Sequence, residues 1–234
     1  MEENGREYQD ESSDSYEPAT GRPRIGIAQD RAFSFYYPRN LDALREAGAG
    51  LVPLDTLADP HLPDVDALYL GGGFPEVFMD ELAANTSLRE EIRTAIEAGL
   101  PTYAECGGLM YLARSLTWGE RTRSMVGVLP CDVEMTTRPQ GHGYVRLRAT
   151  GDNPFFPPGS EVRGHEFHHS RLVNAGDVRF AYRVTRGNGV DGQHDGLLYK
   201  NVLASYTHLH ALGAPGWAAG FVRAASGKEF VICD

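Results

Sequence analysis

Short apolar runs alternate with helix-like segments through the first half of the chain. The apolar runs are β-prone, the segments between them carry apolar residues at helical spacing, and Gly or Pro marks most junctions. This alternation predicts parallel β-α-β units and therefore an α/β fold. In such a sheet, ligands bind beyond the carboxyl ends of the strands. The expected strands cover 24–30, 50–55, 65–70 and 101–105, and the expected helices cover 38–48, 75–85 and 87–98.

The run 101–112 is predicted to turn sharply from a strand into a helix at Cys106. β-prone residues reach Glu105, and apolar residues at helical spacing follow as far as Leu116. The two glycines after Cys106 let the backbone turn tightly and approach a ligand. Because a helix N-terminus favours a thiolate, Cys106 is a candidate nucleophile. Taken alone, a Cys-Gly-Gly sequence is more often structural, so the surrounding motifs must decide.

Three consecutive glycines, Gly71 to Gly73, follow the expected strand 65–70. They lie at the same sheet edge as Cys106, where exposed backbone N–H groups can bind the oxygen of a carbonyl under attack. One such donor is worth about 3 kcal/mol in the transition state of a hydrolase. The loop is a poor phosphate cradle, since Phe74-Pro75-Glu76 follows it and no GxxxxGK[ST] sequence occurs in the chain. The loop is therefore a candidate oxyanion hole, with a plain strand-to-helix connection as the alternative.

Composition limits the class of partner. The chain has 234 residues with a formal net charge of −10, which argues against nucleic acid or an anionic membrane. Its three cysteines are widely spaced and form no disulfide framework, which fits a reducing compartment. No signal peptide or apolar run of membrane-spanning length is found, so a cytoplasmic location is expected.

Two regions differ in composition. Residues 1–22 are rich in acidic and small polar residues with almost no aliphatic side chains, which predicts a disordered acidic tail or linker remnant. Residues 23–234 are expected to form one domain around one core.

Beyond Gly119 the pattern changes to short β-prone pieces, among them 124–129, 161–169 and 202–207. These predict an antiparallel or mixed β region packed beside the first sheet. Two of the pieces carry histidine motifs, 164–170 and 205–210.

The histidines allow two interpretations. A cysteine nucleophile needs a general base, often oriented by a third group, and His208 or His210 could serve as that base. The alternative is a metal site, but the two motifs lack a spacing such as HExxH that is typical of one.

Four ordered motifs, at 67–78, 103–112, 164–170 and 204–210, together resemble the C-terminal glutamine amidotransferase domain of cobyrinic acid a,c-diamide synthases. The resemblance extends from about Arg24 to the C-terminus. It implies a class I, triad-type amidotransferase fold: a mainly parallel central sheet flanked by helices, with an added antiparallel or mixed β region.

The resemblance also implies residue roles. Cys106 corresponds to the nucleophile that attacks the amide of glutamine and forms a glutamyl thioester, and His208 corresponds to its base. The acid that usually follows this base by two residues is replaced by His210, so the third role is open between His210, Glu166 and no residue at all. The remaining expected roles are an oxyanion hole at Gly72, Gly73 and Gly107, and a glutamine pocket at His168, His169 and Ser170.

Full-length members of this family carry an ATP-dependent synthetase domain that activates carboxylates of a tetrapyrrole. That domain is absent from this sequence, so no cofactor is expected here, and ATP and Mg²⁺ are expected only on the synthetase. Either a separate polypeptide supplies it, or the sequence is a piece of a longer protein. The expected partners are glutamine, the synthetase and a tetrapyrrole acceptor bound mainly by the synthetase, in cobalamin biosynthesis. The alternatives are another acceptor, such as a sirohydrochlorin-type ring or a cell-wall lipid, and a non-catalytic metal- or tetrapyrrole-binding domain.

Overall fold

The computed structural model describes residues 21–227. Nearly all of the predicted acidic tail, residues 1–20, lies outside the described residues, as do residues 228–234. The described strands are β1 (Arg24–Ala28), β2 (Gly50–Leu54), β3 (Ala67–Leu70), β4 (Thr102–Glu105), β5 (Ser115–Trp118), β6 (Arg121–Ser124), β7 (Asp132–Met135), β8 (Gly141–Ala149), β9 (Glu161–His168), β10 (Ser170–Val173), β11 (Arg179–Arg186), β12 (His194–Tyr199), β13 (Val202–Ser205) and β14 (His208–Leu209). The described helices are α1 (Pro38–Glu46), α2 (Met79–Ala84), α3 (Thr86–Glu97), α4 (Gly107–Leu112) and α5 (Trp217–Ala225).

One large sheet organises the described part of the chain. Its strand order is β14-β9-β8-β11-β12-β13-β4-β3-β1-β2. The strands β2, β1, β3, β4 and β13 run parallel to one another, as the strand and helix alternation predicts. The carboxyl ends of β3 and β4 therefore meet at one edge, and the triple glycine and Cys106 follow them there.

The antiparallel strands differ from the expectation. They were predicted to pack beside the first sheet, but β12, β11, β8 and β9 continue that same sheet beyond β13. A separate, smaller sheet contains β10, β7, β5 and β6. The parallel and antiparallel strands form one sheet because β13 belongs to both parts. It pairs in parallel with β4 on one side and antiparallel with β12 on the other.

The two-residue strand β14 lies at the far edge of the large sheet, where it pairs with β9. Only residues 206–207 separate it from β13, which lies in the middle of the sheet. The sheet must therefore curl so that its antiparallel end returns to β4. A backbone contact marks the return, since the N–H of Leu209 donates to the carboxylate of Glu105 at 2.9 Å.

Three predicted segments are shorter or different in the structure. The helix expected at 75–85 begins only at Met79, after turns that follow Pro75. The helix after Cys106 ends at Leu112, because β5 begins three residues later. The strand expected at 124–129 ends at Ser124, and 125–129 contains no strand.

The core lies on both faces of the sheet. One face packs against α2, α3 and α4, through residues such as Leu82, Ile92 and Leu112. The other packs against α1 and α5, with Trp217 and Phe221 among the largest buried side chains. Within residues 21–227, no helix has the length and apolar character needed to cross a membrane.

Candidate active site

Cys106 occupies a sharp elbow between β4 and α4. Its backbone has φ 47° and ψ −98°, a left-handed conformation that non-glycine residues rarely adopt. The turn is held by the Cys106 N–H, which donates to the carbonyl oxygen of Ser205 at 2.7 Å. Next to it, α4 lies against the end of β3: a Cβ placed on Gly108 would lie 2.2 Å from the carbonyl oxygen of Leu70. Only glycine allows this approach, so the predicted strand-to-helix elbow is present.

The thiol lies in a protected environment, with 6% of Cys106 exposed. Burial, followed by the nearby carboxylate of Glu76, raises the pKa of the thiol to about 12, although the Gly107 N–H acts in the opposite direction. Burial therefore opposes the effect expected of the helix N-terminus, which favours a thiolate. The resting group is a neutral thiol that needs a base.

His208 lies on β14 and is 5% exposed. Its ring stacks on His165, with centroids 4.8 Å apart, and meets the edge of Phe35 at 5.1 Å. Burial, followed by His165 and His168, lowers the pKa of His208 to about 3, so the imidazole is neutral at rest. Cys106 and His208 line the same small cavity, whose volume is about 90 Å³. A neutral thiol and a neutral imidazole thus line the same cavity.

Two backbone N–H groups near Cys106 have no backbone acceptor in the described chain: that of Gly73 in the glycine loop and that of Gly107 at the start of α4. The N–H of Gly72 is already used, since it donates to the carbonyl oxygen of Phe35 at 3.2 Å. No acceptor among residues 21–227 takes the N–H of Gly73, and Gly107 begins α4, where no helical acceptor precedes it. A Cβ on Gly107 would lie 3.0 Å from the nitrogen of Gly73, so the two donors are neighbours. Of the three glycines expected to form an oxyanion hole, Gly73 and Gly107 therefore have neighbouring N–H groups without a backbone acceptor within the described residues, whereas the N–H of Gly72 is bonded to Phe35.

Cys106 also lines a larger cavity of about 420 Å³. The predicted pocket residues His168, His169 and Ser170 all line it. His168 is held in place by stacking on Tyr206 at 3.8 Å, and its Nδ1 lies 2.9 Å from the carbonyl oxygen of Ser170. Glu76 also lines this cavity, and sequence reasoning missed it: 74–76 served only as an argument against a phosphate site.

The structure places neither expected candidate for the third role beside His208. His210 packs its ring on Tyr37 at 4.7 Å, and its Nδ1 accepts the N–H of Leu212 at 3.2 Å. The carboxylate of Glu166 accepts the N–H groups of 188 and 189 and lies 3.9 Å from Nε2 of His168.

Glu105 is the acid that approaches His208. Its Oε2 lies 4.0 Å from Nδ1 of His208, and 2% of the residue is exposed. Sequence reasoning missed Glu105 because it is the last residue of a buried strand. Its position directly before the cysteine was the available sequence clue.

The histidine motifs do not bring together a metal-ligating set in the described part of the chain. Across residues 21–227, no three His, Cys, Asp or Glu side chains are grouped so that they could hold a metal ion.

Comparison with known families and proteins identifies close relatives. The profile of the CobB/CobQ-like glutamine amidotransferase domain matches residues 24–216. A cobyrinate a,c-diamide synthase of Magnetococcus marinus is 53% identical over 205 residues, which is 87% of this chain and 44% of that protein. A cobyrinate a,c-diamide synthase of Methanothermobacter thermautotrophicus is 48% identical over 202 residues, or 86% of this chain and 44% of that protein. The chain therefore spans less than half the length of these curated relatives.

Solved structures share the fold at low sequence identity. A crystal structure described as a glutamine amidotransferase has a TM-score of 0.63 and 20% identity, and the match covers 86% of this chain and 98% of that chain. The structure of PurLQS from Thermotoga maritima has a TM-score of 0.61 and 23% identity, and the match covers 88% of this chain and 97% of that chain. The predicted class I amidotransferase fold is confirmed.

Proposed function

The chain belongs to the family of CobB/CobQ-like glutamine amidotransferase domains, and we propose that it hydrolyses glutamine at Cys106 to supply ammonia to a cobyrinate a,c-diamide synthase. The observation that carries the proposal is that Cys106 and His208 line one small cavity, close to the neighbouring N–H groups of Gly73 and Gly107. These groups are the nucleophile, base and oxyanion donors that acyl transfer needs.

The first step forms the thioester. As Sγ of Cys106 attacks the side-chain carbonyl carbon of glutamine, His208 takes the thiol proton. Transfer accompanies attack, because the thiol and the imidazole are both neutral at rest. The carbonyl oxygen becomes an oxyanion that the N–H groups of Gly73 and Gly107 receive. When the C–N bond breaks, His208 returns its proton to the leaving nitrogen, and ammonia departs.

The second step restores the thiol. A water molecule attacks the thioester carbonyl while His208 takes one of its protons, and the same two N–H groups receive the second oxyanion. The C–S bond then breaks, His208 gives its proton to sulfur, and glutamate is released. The histidine therefore transfers one proton in each direction in each half-reaction.

The 420 Å³ cavity is the proposed glutamine pocket. Glutamine carries an ammonium group and a carboxylate at the end remote from the amide, and the cavity holds a carboxylate, Glu76, close to His169. We assign Glu76 to the ammonium group and the 168–170 segment to the carboxylate.

Replacement of the nucleophile tests the proposal. Cys106→Ala is expected to abolish glutamine hydrolysis, measured as glutamate release, while circular dichroism and the thermal midpoint remain close to wild type. The matched control is Cys131→Ala, because Cys131 is also a buried, unpaired thiol whose pKa burial raises to about 12. This control should retain hydrolysis. Glutamate release by Cys106→Ala at the wild-type rate would disprove the assignment.

The proposal also names the acid that receives the ammonia, cobyrinate. The relatives named cobyrinate a,c-diamide synthase are more than twice as long as the matched segment, and this chain contains no GxxxxGK[ST] sequence to bind ATP. We therefore assign carboxylate activation, with ATP and Mg²⁺, to a synthetase portion outside this sequence. The described cysteines are unpaired, in keeping with the proposed cytoplasmic location.

Reconstitution tests the acceptor. The synthetase portion of the Magnetococcus marinus relative is combined with this chain, and amidated cobyrinate is measured with glutamine or with ammonium salt as nitrogen source. Glutamine-dependent product should require both polypeptides, whereas ammonium-dependent product should require the synthetase alone. If the mixture hydrolyses glutamine but amidates only another acid, the amidotransferase assignment stands and the cobyrinate assignment fails.

A further inference from the structure

His208, the proposed base, lacks a hydrogen-bond partner at its ring nitrogen Nδ1 in the described part of the chain. A histidine that accepts a proton at one nitrogen needs a partner at the other, which selects the tautomer and stabilises the imidazolium. Nδ1 of His208 is buried, and no residue between 21 and 227 forms a hydrogen bond with it. Its nearest acidic atom is Oε2 of Glu105, at 4.0 Å.

The carboxylate of Glu105 is held rigidly from three strands. Tyr69 on β3 donates its hydroxyl to Oε2 at 2.9 Å, and Tyr103 on β4 donates its hydroxyl to Oε1 at 2.8 Å. The N–H of Leu209 on β14 also donates to Oε1, at 2.9 Å. Oε1 therefore holds the backbone that follows His208, while Oε2 faces the ring of His208.

Glu105 also connects the two segments that carry the chemistry. It directly precedes Cys106 on β4, and its side chain reaches the residue that directly follows His208 on β14. A single carboxylate is thus placed to set the position of the base relative to the nucleophile.

The other buried acids near this region have different partners. Glu166 accepts from the backbone at 188 and 189. Asp195, which is fully buried, accepts the N–H groups of Gly196, Tyr206 and Thr207. Neither has a recorded contact with the ring of His208 among the described residues, so Glu105 is the acid placed for the role.

We propose that Glu105 is the positioning residue for His208: its Oε2 accepts the Nδ1–H of His208, keeps Nε2 available to the thiol of Cys106, and stabilises the imidazolium that forms during attack. This inference rests on the proposed glutaminase function. It assigns the third role to the residue before the nucleophile instead of to the position two residues after the base.

The 4.0 Å separation is longer than a hydrogen bond, and an approach of about 1 Å closes it. Such contacts are often long in a ligand-free enzyme and shorten when the substrate binds.

Burial raises the pKa of Glu105 to about 7, so its carboxylate and carboxylic acid forms are both populated near neutrality. Glutamine hydrolysis should therefore rise with pH as Glu105 ionises. The titratable groups around Glu105 are Tyr69 from β3, Tyr103 from β4 and His208 from β14, with Tyr36, Tyr37, Cys106 and Tyr182 within electrostatic range.

The test replaces Glu105 with glutamine and compares it with Asp195→Asn. Glu105→Gln keeps the side-chain length and an acceptor oxygen but removes the charge. Asp195→Asn makes the same change at another buried acid, one that holds the backbone just before His208. A purely structural effect on the His208 segment should therefore appear in both variants.

Two readouts separate positioning from folding. In steady-state glutamine hydrolysis, Glu105→Gln should lower kcat by about 10²-fold or more while KM stays within about threefold, because the loss falls on the charged transition state. It should also remove the rise in kcat with pH near neutrality, which Asp195→Asn should retain. In ¹⁵N NMR of labelled histidine, recorded above the pKa of Glu105 with the product glutamate bound and with His208 assigned by loss of its signal in His208→Ala, the wild type and Asp195→Asn should show the Nδ1–H tautomer. Glu105→Gln should lose that preference.

The NMR result decides the inference independently of turnover. If wild-type His208 is not protonated at Nδ1, or if its tautomer is unchanged in Glu105→Gln, the inference is wrong. A kcat for Glu105→Gln within about threefold of wild type would also overturn it. A wild-type protein that neither hydrolyses glutamine nor reacts with a glutamine-analogue electrophile at Cys106 would instead overturn the proposed function, and the tautomer would still decide the role of Glu105.

Discussion

At the scale of single residues, both groups proposed to react, the thiol of Cys106 and the imidazole of His208, are uncharged at rest. Because burial raises the pKa of Cys106 from 9.0 to about 12, its thiolate fraction at neutral pH is about 10³-fold lower than that of an ordinary cysteine. We expect iodoacetamide to modify Cys106 at least that much more slowly than a free thiol at the same pH. A glutamine-analogue electrophile should react rapidly, because it occupies the pocket and engages His208. Peptide mass spectrometry measures both rates, and rapid modification by iodoacetamide would contradict the raised pKa.

Gly72 has a spatial role that is separate from hydrogen bonding. A Cβ at this position would lie 2.4 Å from Cε1 of His208, so Gly72→Ala must displace the imidazole. We expect kcat to fall at least about tenfold, with a stability loss in the range of about 1–3 kcal/mol that overpacking produces. Glutaminase assays and urea denaturation measure the two effects. Gly151→Ala is the control, since a Cβ there meets no atom within 4 Å; equal activity in the two variants would argue against the crowding.

Sequence patterns predicted some of these site residues and missed others. The elbow at Cys106 was predictable because a strand, a cysteine and two glycines are adjacent in the chain. His208 followed from the resemblance between motifs. The contact between Glu105 and His208 was out of reach, since it joins residues about 100 positions apart through a sheet that returns on itself. The preference for Gly73 over Gly72 in the proposed oxyanion hole depends on the hydrogen bond that the Gly72 N–H donates to the carbonyl oxygen of Phe35, which no local pattern indicates.

At the scale of elements, the position of His208 depends on the pairing of β14 with β9. Gly164 lies opposite Leu209 in that pair, and a Cβ at Gly164 would lie 2.3 Å from the carbonyl oxygen of His208. Gly164→Ala must therefore push β14 away from β9. We expect a loss of kcat larger than the loss of folded protein, measured by glutaminase assay alongside urea denaturation.

The comparison variant for this prediction is Gly176→Ala, because a Cβ there lies 3.5 Å from Pro130, an ordinary contact. That variant should retain wild-type kcat. Wild-type turnover in Gly164→Ala would mean that the β14–β9 pairing does not set the position of the base.

Elements were predicted best where their cause is local. The parallel strands and α1 follow from apolar periodicity and from Pro38 at the first turn. The short α4 and the transition to β5 were missed, because 109–116 has helical spacing while 109–113 is buried throughout, and within such a buried apolar run periodicity does not distinguish helix from strand. The joining of the antiparallel strands to the parallel sheet depends on pairings between distant strands, which composition does not encode.

At the scale of the whole molecule, Glu105 should make the free energy of unfolding fall as pH rises. Its pKa in the folded protein, about 7, lies above its ordinary value of 4.5, so the folded state binds the extra proton. The contribution to stability is complete below about pH 4.5 and is lost as pH rises through about 7. Since one pKa unit corresponds to about 1.4 kcal/mol, the loss is about 3 kcal/mol.

Glu105→Gln does not titrate, so its unfolding free energy relative to wild type should shift by about 3 kcal/mol in favour of the variant between about pH 5 and pH 8. Urea denaturation of both proteins at the two pH values measures the difference. A pH-independent difference would mean that Glu105 titrates in the folded protein at its ordinary pKa.

The return of β14 to β4 has a consequence for how the protein is made. Cys106, which directly follows β4, is synthesised about 100 residues before His208 on β14. Every strand from β8 to β13 that determines the curl of the sheet lies between them in the chain, apart from the separate β10. Contacts between such distant residues form late in folding, because loop closure must precede them. A chain that ends before β14 therefore contains Cys106 without His208, so we expect such a chain to release no glutamate from glutamine.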